Sequence, residues 1–278
     1  MKWLIKSFAV CLLLTGLAHA QQPPLVDAHS HYTAFDTPHF SHAQIVSKLD
    51  HSGVSRIVIT SSPWHLAREL HAHAPQRIIP LLGVYDNFAD KARWMHDREL
   101  PSRVATHLTQ GTWAGIGELH LFAHDAHSPV FANLVQLAHA HGLMLLIHGD
   151  PEVIDRAFEL APTVRILWAH LGTVPDAAVV QSVLERHAQR ALWIDTSVRD
   201  DRIAPGGQLL PEWRQLFQAH PTRFVVAVDT FSAHRWGRYG EVTTQIRQWV
   251  AGLPPSVQER LLWRNAEALF APWLGRQP

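Results

Sequence analysis

Short apolar runs recur along the chain and alternate with longer stretches that mix apolar and polar residues at helical spacing. Nearly continuous short apolar runs are typical of parallel strands buried on both faces. Strands are therefore predicted to begin near eight positions: Leu25, Val54, Ile78, Trp113, Leu143, Val164, Leu192 and Phe224.

Helices are predicted between these strands, among them residues 41–51, 129–141, 151–160 and 175–189, with a closing helix at 254–274. Three of the four helices between strands start at a proline, which suits the first helical turn. Eight strand–helix units predict an α/β chain folded as a (β/α)8 TIM barrel. A doubly wound open sheet is the alternative, but no glycine-rich nucleotide loop follows the first strand.

The first 20 residues have the pattern of a secretory signal peptide. Lys2 and Lys6 precede an apolar segment at 8–17, and Ala18-His19-Ala20 supplies the small residues that signal peptidase needs. Residues 21–278 would then form one domain, periplasmic or secreted, with no stable membrane insertion after cleavage. An uncleaved N-terminal anchor is the alternative. Cys11, the only cysteine, would leave with the signal, so no disulfide is expected.

Charge excludes some partners. Without Lys2 and Lys6, the 24 basic residues become 22, against 24 acidic ones, a net charge of −2. A chain with this balance has no electrostatic surface for nucleic acid or an anionic membrane. A small-molecule substrate is expected instead, and the oligomeric state stays open.

Candidate metal ligands follow the strands. His29 and His31 are separated by one residue, so on a strand both imidazoles point to the same side. Further imidazoles and carboxylates end later strand candidates: Glu118, His148, His170 and Asp229. In a TIM barrel these strand ends meet at one mouth, where active sites lie. Imidazole and carboxylate are ligands of Zn, Mn, Fe or Co.

The set His29-x-His31, Glu118, His148, His170 and Asp229 resembles the amidohydrolase superfamily of metal-dependent TIM-barrel hydrolases. The segments 27–31, 168–172 and 264–270 resemble its amidohydrolase-2 branch, which includes relatives of aminocarboxymuconate-semialdehyde decarboxylase. The resemblance covers essentially the whole chain after residue 20.

The resemblance implies roles for these positions. His29, His31 and Asp229 would hold a divalent metal together with His148, and His170 would hold a second metal or contact the substrate. Some superfamily members bridge two metals with a carbamylated lysine on the fourth strand. This chain has Glu118 there, as TatD-type hydrolases do, so one or two ions are expected. Zn is the expected metal, with Mn, Fe or Co as alternatives.

The expected chemistry is hydrolysis by a metal-activated water. Asp229 would take the proton of that water and return it to the leaving group, and His170 would help to polarise the scissile bond. Asp27 is either a partner of the ligand His29 or a carboxylate bonded elsewhere in the barrel.

Substrate-binding candidates lie at the end of the seventh predicted strand and in the loops after the seventh and eighth strands. Trp193, Arg199 and Arg235 are expected there, because guanidinium groups pair with carboxylates and stack on planar rings. Tyr85 is a candidate for the pocket wall or for outer packing. His120 and His124 follow Glu118 and either line the mouth or are solvated loop residues.

Three functions remain open from the sequence. The preferred one is an exported metal-dependent hydrolase of a small-molecule amide, ester, lactone or phosphoester. A metal-dependent nonhydrolytic decarboxylase of a carboxylate substrate would use the same ligands. A noncatalytic exported metal-binding protein is the third, although storage histidines usually cluster in tracts.

Overall fold

A computed structural model describes residues 23–276, and within this range eight parallel strands follow one another around a single sheet. The strands are β1 (Leu25–His31), β2 (Val54–Thr60), β3 (Ile78–Leu82), β4 (Gly115–Leu121), β5 (Met144–Gly149), β6 (Arg165–Trp168), β7 (Leu192–Asp195) and β8 (Phe224–Val225). Each begins within two residues of its predicted position. The predicted (β/α)8 barrel is confirmed.

The barrel closes where the last strand meets the first. The regular part of β8 ends at Val225, but the segment that follows continues alongside β1. The amide of Ala28 donates to the carbonyl of Val226 at 3.1 Å, and the amide of Asp229 donates to the carbonyl of His29 at 2.8 Å. These bonds hold Asp229 beside the end of β1, although no regular ladder connects the two strands.

Helices surround the sheet. They are α1 (His42–His51), α2 (His65–His73), α3 (Leu100–Leu108), α4 (Pro129–Ala140), α5 (Pro151–Leu160), α6 (Ala177–Arg186), α7 (Asp200–Ile203), α8 (Pro211–Ala219), α9 (Ala233–Gly237), α10 (Tyr239–Val250), α11 (Pro255–Glu259) and α12 (Asn265–Leu274). The predicted closing helix corresponds to α11 and α12, which a π-helical turn at Arg260–Arg264 joins.

Within residues 23–276, two apolar clusters form the core. The larger one packs the outer face of the sheet against the helices. The other, here called the interior cluster, comprises Val26, Ala28, Val58, Ile79, Leu81, Ala114, Met144, Leu146, Leu167, Ala169, Val225, Ala227, Ala266, Leu269, Phe270 and Trp273. Its last four members belong to α12, so this helix closes one end of the barrel.

Inward-facing side chains at the other end of the barrel, opposite α12, are polar. In β5, Met144 and Leu146 belong to the interior cluster, so His148 is the next inward residue. In β7, Trp193 packs against the interior cluster and Asp195 is the next inward residue. Interior residues are therefore apolar near α12 and polar at the carboxyl ends of the strands.

The strand pairing is irregular at two places in the sheet. The register of β1 against β2 shifts between Asp27 and Ser30, and that of β4 against β5 shifts between Ile116 and Leu119. Such irregularities re-aim side chains and are common beside functional sites. Gly117 lies inside the second one at φ 143°, and a Cβ there would come 2.5 Å from the carbonyl oxygen of Leu146. Only glycine fits this position.

Two expectations concern membranes and export. In the part of the chain that the structure describes, no helix has both the length and the apolar character needed to cross a bilayer. The predicted signal peptide at residues 1–20 lies outside the described residues, so it stays a prediction.

Candidate metal centre

Glu118 lies at the centre of the barrel mouth, and its side chain is buried. Five imidazole nitrogens surround its two carboxylate oxygens at 3.1–3.7 Å. Oε1 is 3.1 Å from His148 Nδ1 and 3.2 Å from His170 Nε2. Oε2 is 3.3 Å from the Nε2 atoms of both His31 and His120 and 3.7 Å from that of His29. One carboxylate thus connects histidines from four strands or their ends.

Asp195 fixes the ring of His29. Its Oδ2 lies 3.0 Å from His29 Nδ1, and both groups are fully buried. A carboxylate accepts hydrogen bonds only, so His29 carries a proton on Nδ1 in this pair. The opposite nitrogen, Nε2, then points into the mouth, 3.3 Å from His31 Nε2. A carboxylate behind an imidazole is the usual support of a metal-binding histidine.

His170 is held in a similar way. The Ser197 hydroxyl donates to Asp195 Oδ1 at 2.5 Å, so its oxygen accepts from His170 Nδ1 at 2.8 Å. The backbone amide of His170 also donates to Asp195 Oδ1, at 3.1 Å. Asp195 therefore orients two imidazoles whose free Nε2 atoms both face Glu118.

Asp229 completes the mouth from the end of the last strand. Its Oδ1 is buried and makes no hydrogen bond, although it lies 3.2 Å from His31 Nε2. His170 and Asp229 both have left-handed backbones, with φ values of 62° and 55°. This conformation costs a non-glycine residue about 1–2 kcal/mol. The backbone bonds of their amides to Asp195 and to His29 hold the two turns in place.

Electrostatics couples these groups. Burial raises the pKa of Glu118, but the surrounding histidines, His120 and His29 foremost, outweigh it and hold that pKa well below its ordinary value. Burial lowers the pKa of His29, yet Glu118 and Asp195 raise it well above normal. For Asp195, burial raises the pKa and His29 lowers it, to about 2 overall. The carboxylates of the mouth thus strongly favour nearby positive charge.

The mouth fits a divalent cation. Among the described residues, three groups of potential ligands have their donor atoms within 4.8 Å of one another, namely His29/His31/Asp229, His29/Glu118/His170 and Glu118/His120/His148. The buried Oδ1 of Asp229 needs a partner. Imidazole nitrogens and carboxylate oxygens without sulfur suit Zn and similar ions.

All six residues predicted as metal ligands lie at this mouth. The structure differs in detail, because His148 groups with Glu118 and His120 rather than with the His29/His31/Asp229 group. Glu118 does not end its strand, since β4 continues to Leu121. His170 lies in a 3-10 turn after β6. Their roles as ligands, and those of Asp229 and His170 in catalysis, stay predictions.

The three predicted substrate-binding residues are already engaged by the protein. Arg199 donates to the carbonyls of His170, Gly172 and Thr173, and Arg235 donates twice to the carbonyl of Val228. Trp193 packs against the interior cluster, and its indole nitrogen has no hydrogen-bond partner. The two arginines brace the mouth loops, and substrate contact stays a prediction for all three.

Sequence reasoning missed Asp195 and undervalued His120 and Tyr85. Asp195 ends β7, so the rule that selected the other strand-end residues would also have selected it. His120 follows Glu118 by two residues, the same spacing as His29 and His31. Tyr85 accepts a hydrogen bond from the backbone amide of His120 at 2.8 Å, and its hydroxyl lies 3.1 Å from His120 Nδ1.

Solved structures share this fold. A protein named "probable 2-pyrone-4,6-dicarboxylic acid hydrolase" from Acinetobacter baumannii, with citric acid bound, superposes with a TM-score of 0.62 at 14% identity, covering 89% of this chain and 99% of that one. A Burkholderia multivorans amidohydrolase with bound Zn gives a TM-score of 0.58 at 14% identity, with the same coverage. The Escherichia coli phosphotriesterase homology protein, with phosphate in its active site, gives 0.64 at 12% identity, covering 90% and 99%.

Sequence comparison points to the same group of proteins. No curated protein matches the chain. The family model described as Amidohydrolase (Amidohydro_2) matches residues 26–271, which run from β1 into α12 and include every residue of the mouth described above. The chain therefore belongs to the amidohydrolase family, whose members are metal-dependent hydrolases and related enzymes.

Proposed function

We propose that the protein is an exported metal-dependent hydrolase that attacks a small-molecule amide, ester, lactone or phosphoester with a metal-activated water. The observation that carries the proposal is the convergence of five imidazoles on Glu118, with Asp229 beside them, at the carboxyl ends of the strands. In a TIM barrel this end carries the active site.

The proposed role of each residue at the mouth follows from its chemistry. A divalent cation bound at the mouth would supply Lewis acidity, so that a water there could act as a nucleophile at neutral pH. His29, His31 and Asp229 would hold the cation. The Asp229 carboxylate would also accept the proton of the attacking water and deliver it to the leaving group. Asp195 keeps His29 and His170 oriented throughout.

Three structural neighbours support the class of substrate and the identity of the metal. The Acinetobacter protein binds citric acid and the Escherichia coli protein binds phosphate in its active site. These ligands support a small, oxygen-rich substrate whose carbonyl or phosphoryl group enters the mouth. The Burkholderia amidohydrolase holds Zn, which supports Zn as the metal here.

Asp229→Asn tests the proposal. Asparagine keeps the size of the side chain and one oxygen but cannot accept the proton, and general-base catalysis is worth about 10²–10⁴ in rate. We expect the Zn-loaded variant to fold, to retain metal, and to hydrolyse a substrate found by screening esters, lactones, amides and phosphoesters at least about 100-fold more slowly than the wild type.

The control is Asp201→Asn, because the Asp201 side chain is exposed and bonds Gln245. This variant is expected to keep wild-type turnover. Full turnover by the metal-loaded Asp229→Asn enzyme would remove Asp229 from the mechanism. A wild type that binds no metal, or that hydrolyses no substrate class of the screen, would contradict the proposed function.

Export is the second part of the proposal and is supported by the signal-like pattern at residues 1–20. Protein recovered from the native cell envelope is expected to begin at Gln21, as N-terminal sequencing would detect. An intact Met1 in a membrane fraction would instead favour an uncleaved anchor.

A further inference from the structure

Large apolar side chains that are exposed to solvent are concentrated at the mouth end of the barrel. Among the side chains that the structure describes, five large apolar residues are 42–74% exposed: Phe35, Phe122, Val174, Val179 and Phe231. All except Val179 lie in loops that follow a strand, namely β1, β4, β6 and β8. Loops of this kind surround the active-site opening of a TIM barrel. These four residues, here called the apolar rim, therefore lie around the mouth on four separate loops.

Each residue of the apolar rim is close along the chain to a candidate metal ligand. Three of them come four residues after such a ligand and one comes two residues after it, in the pairs His31 and Phe35, Glu118 and Phe122, His170 and Val174, and Asp229 and Phe231. Four residues of extended chain span at most about 14 Å, so the backbone of each rim residue lies no farther than that from its ligand. A molecule held at the metal centre is therefore within reach of the rim.

Hydrogen bonds fix the loops that carry the two rim phenylalanines at the junction of the first and last strands. Asp36, next to Phe35, accepts the backbone amide and the hydroxyl of Thr33 on Oδ2, both at 2.8 Å. The hydroxyl of Thr230, directly before Phe231, donates to a backbone carbonyl of β1 at 2.7 Å. Both exposed rings are thus carried by turns that are bonded to the rest of the protein.

Asp150 fixes the other two loops. Its Oδ2 accepts the backbone amide of Ala123, next to Phe122, at 2.9 Å. Its Oδ1 accepts the hydroxyl of Thr173, next to Val174, at 2.5 Å. A ligand that binds to loops already held in place pays little for ordering them, so contacts with such loops strengthen binding. The apolar rim is therefore suited to binding.

The position of the apolar rim favours the substrate as its partner. The interior of the mouth is polar, with buried carboxylates such as Glu118 and Asp229. A flat lipid surface or a second protein chain lying across all four loops would cover the opening through which a substrate enters. A substrate whose reacting group lies at the metal centre would instead extend outward between the rim side chains. Apolar walls around a few polar groups are typical of small-molecule sites.

We propose that the apolar rim binds the apolar chain of an ester or amide substrate whose carbonyl group lies at the metal centre. This inference rests on the proposed function and narrows its substrate class to acyl esters and amides whose chain reaches the loops. The rim residues determine specificity, because they contact a part of the substrate that does not react.

Binding of straight-chain carboxylates tests the rim without turnover. The Zn-loaded protein would be titrated calorimetrically with acetate, hexanoate and octanoate, whose carboxylate enters the mouth. Full burial of one methylene is worth about fourfold in affinity, so a chain that stays partly in water should gain about twofold for each methylene at the rim. We therefore expect the wild type to bind octanoate at least about 10-fold more tightly than acetate. Phe35→Ser combined with Phe231→Ser should lose most of this difference.

Hydrolysis of matching esters gives a second measurement. For an octanoyl ester, the double variant should raise KM about 10-fold and leave kcat unchanged, because the rim contacts the substrate equally in the ground state and the transition state. An acetyl ester is too short to reach the rim, so the double variant should hydrolyse it as the wild type does.

Val179→Ser is the matched control. Val179 is an exposed apolar residue like those of the rim, but it lies within α6 and follows no candidate metal ligand within four residues. This variant should keep the preference for octanoate over acetate and the wild-type KM for the octanoyl ester. If Val179→Ser loses the preference as the double variant does, the effect is not specific to the rim and the inference is wrong.

The outcomes separate this inference from the proposed function. If the wild type hydrolyses the acetyl ester but binds the three carboxylates equally well, the rim is refuted and the proposed function stands. If the wild type hydrolyses no substrate class, the proposed function fails, whereas a preference for octanoate that depends on Phe35 and Phe231 would still support the rim. Should the double variant fail to fold, as circular dichroism would reveal, each single variant decides the matter.

Two other partners of the rim would overturn the inference. Wild-type protein that sediments with phosphatidylcholine vesicles, while the double variant does not, would assign the rim to a lipid surface if octanoate binding is the same in both. A wild-type dimer in light scattering that becomes a monomer in the double variant, again with unchanged octanoate binding, would assign the rim to a second copy of the chain.

Discussion

At the scale of single residues, Asp27 joins the ends of the barrel sheet. Its Oδ1 accepts the backbone amides of Val228 and His29, and its Oδ2 accepts the hydroxyls of Ser30 and Tyr239 at 2.7 and 2.9 Å. The sequence left two interpretations of this residue. The structure supports the second, a carboxylate bonded elsewhere, because it makes no bond to the ring of His29.

Burial raises the pKa of Asp27 from 3.8 to about 6, although its four hydrogen bonds, that of Tyr239 among them, lower it. The folded state therefore holds a proton that the unfolded chain releases between about pH 4 and 6. The contribution of Asp27 to stability is full below pH 4 and is lost as the pH rises through 6. Above that range the ionised carboxylate depends on its donors.

Tyr239→Phe removes one of these donors. We expect the variant to lose about 1–3 kcal/mol of unfolding free energy at pH 8, where Asp27 is ionised, and less at pH 5, where it is largely protonated. Urea unfolding at both pH values measures the difference. Tyr32→Phe is the control, because Tyr32 donates to the neutral carbonyl of Phe40. Its smaller loss should be equal at the two pH values, and a pH-independent loss in Tyr239→Phe would contradict this account.

At the scale of elements, α12 closes the barrel end opposite the mouth. Phe270 belongs to the interior cluster and is 1% exposed. Phe270→Ala should leave a cavity and cost about 3–5 kcal/mol of unfolding free energy. Phe122→Ala is the control, since Phe122 is 42% exposed in the loop after β4 and should change stability by less than about 0.5 kcal/mol. Equal losses in urea unfolding would show that α12 does not support the barrel.

The strands could be predicted because their apolar runs are nearly continuous, as parallel strands require. The end of β4 was wrong in the sequence analysis, since Leu119 and Leu121 extend the alternation past Glu118. That early end hid the pairing of Glu118 with His120 on one face. The periodicity of apolar residues defines strand ends poorly. Because β4 was predicted to end too early, the sequence analysis expected too few imidazoles at the mouth.

The bracing of the mouth could not be predicted. Arg199 donates to three carbonyls of a turn in which His170 and Leu171 have positive φ angles. Backbone conformation of this kind leaves no pattern of apolar and polar positions. The distances around Glu118 likewise depend on the register shifts in β1 and β4, which tertiary packing sets.

At the scale of the whole molecule, the mouth joins the first strand of the barrel to the last. His29 and His31 come from the first strand, and Asp229 follows the last. The seam between those strands holds them together through backbone bonds, the side chain of Asp27, and paired bonds between Thr230 and His31 at 2.7 and 2.9 Å. The contacts that close the barrel therefore also bring these site residues together.

This seam has a consequence for the order of events during synthesis. A growing chain exposes His29 and His31 early, but Asp229 follows about 200 residues later. A fragment that ends before residue 229 therefore lacks one of the three side chains. Until that last segment lies against β1, the two histidines have neither their carboxylate nor a closed barrel around them. A cation is therefore expected to bind these three residues only after the segment that carries Asp229 lies against β1.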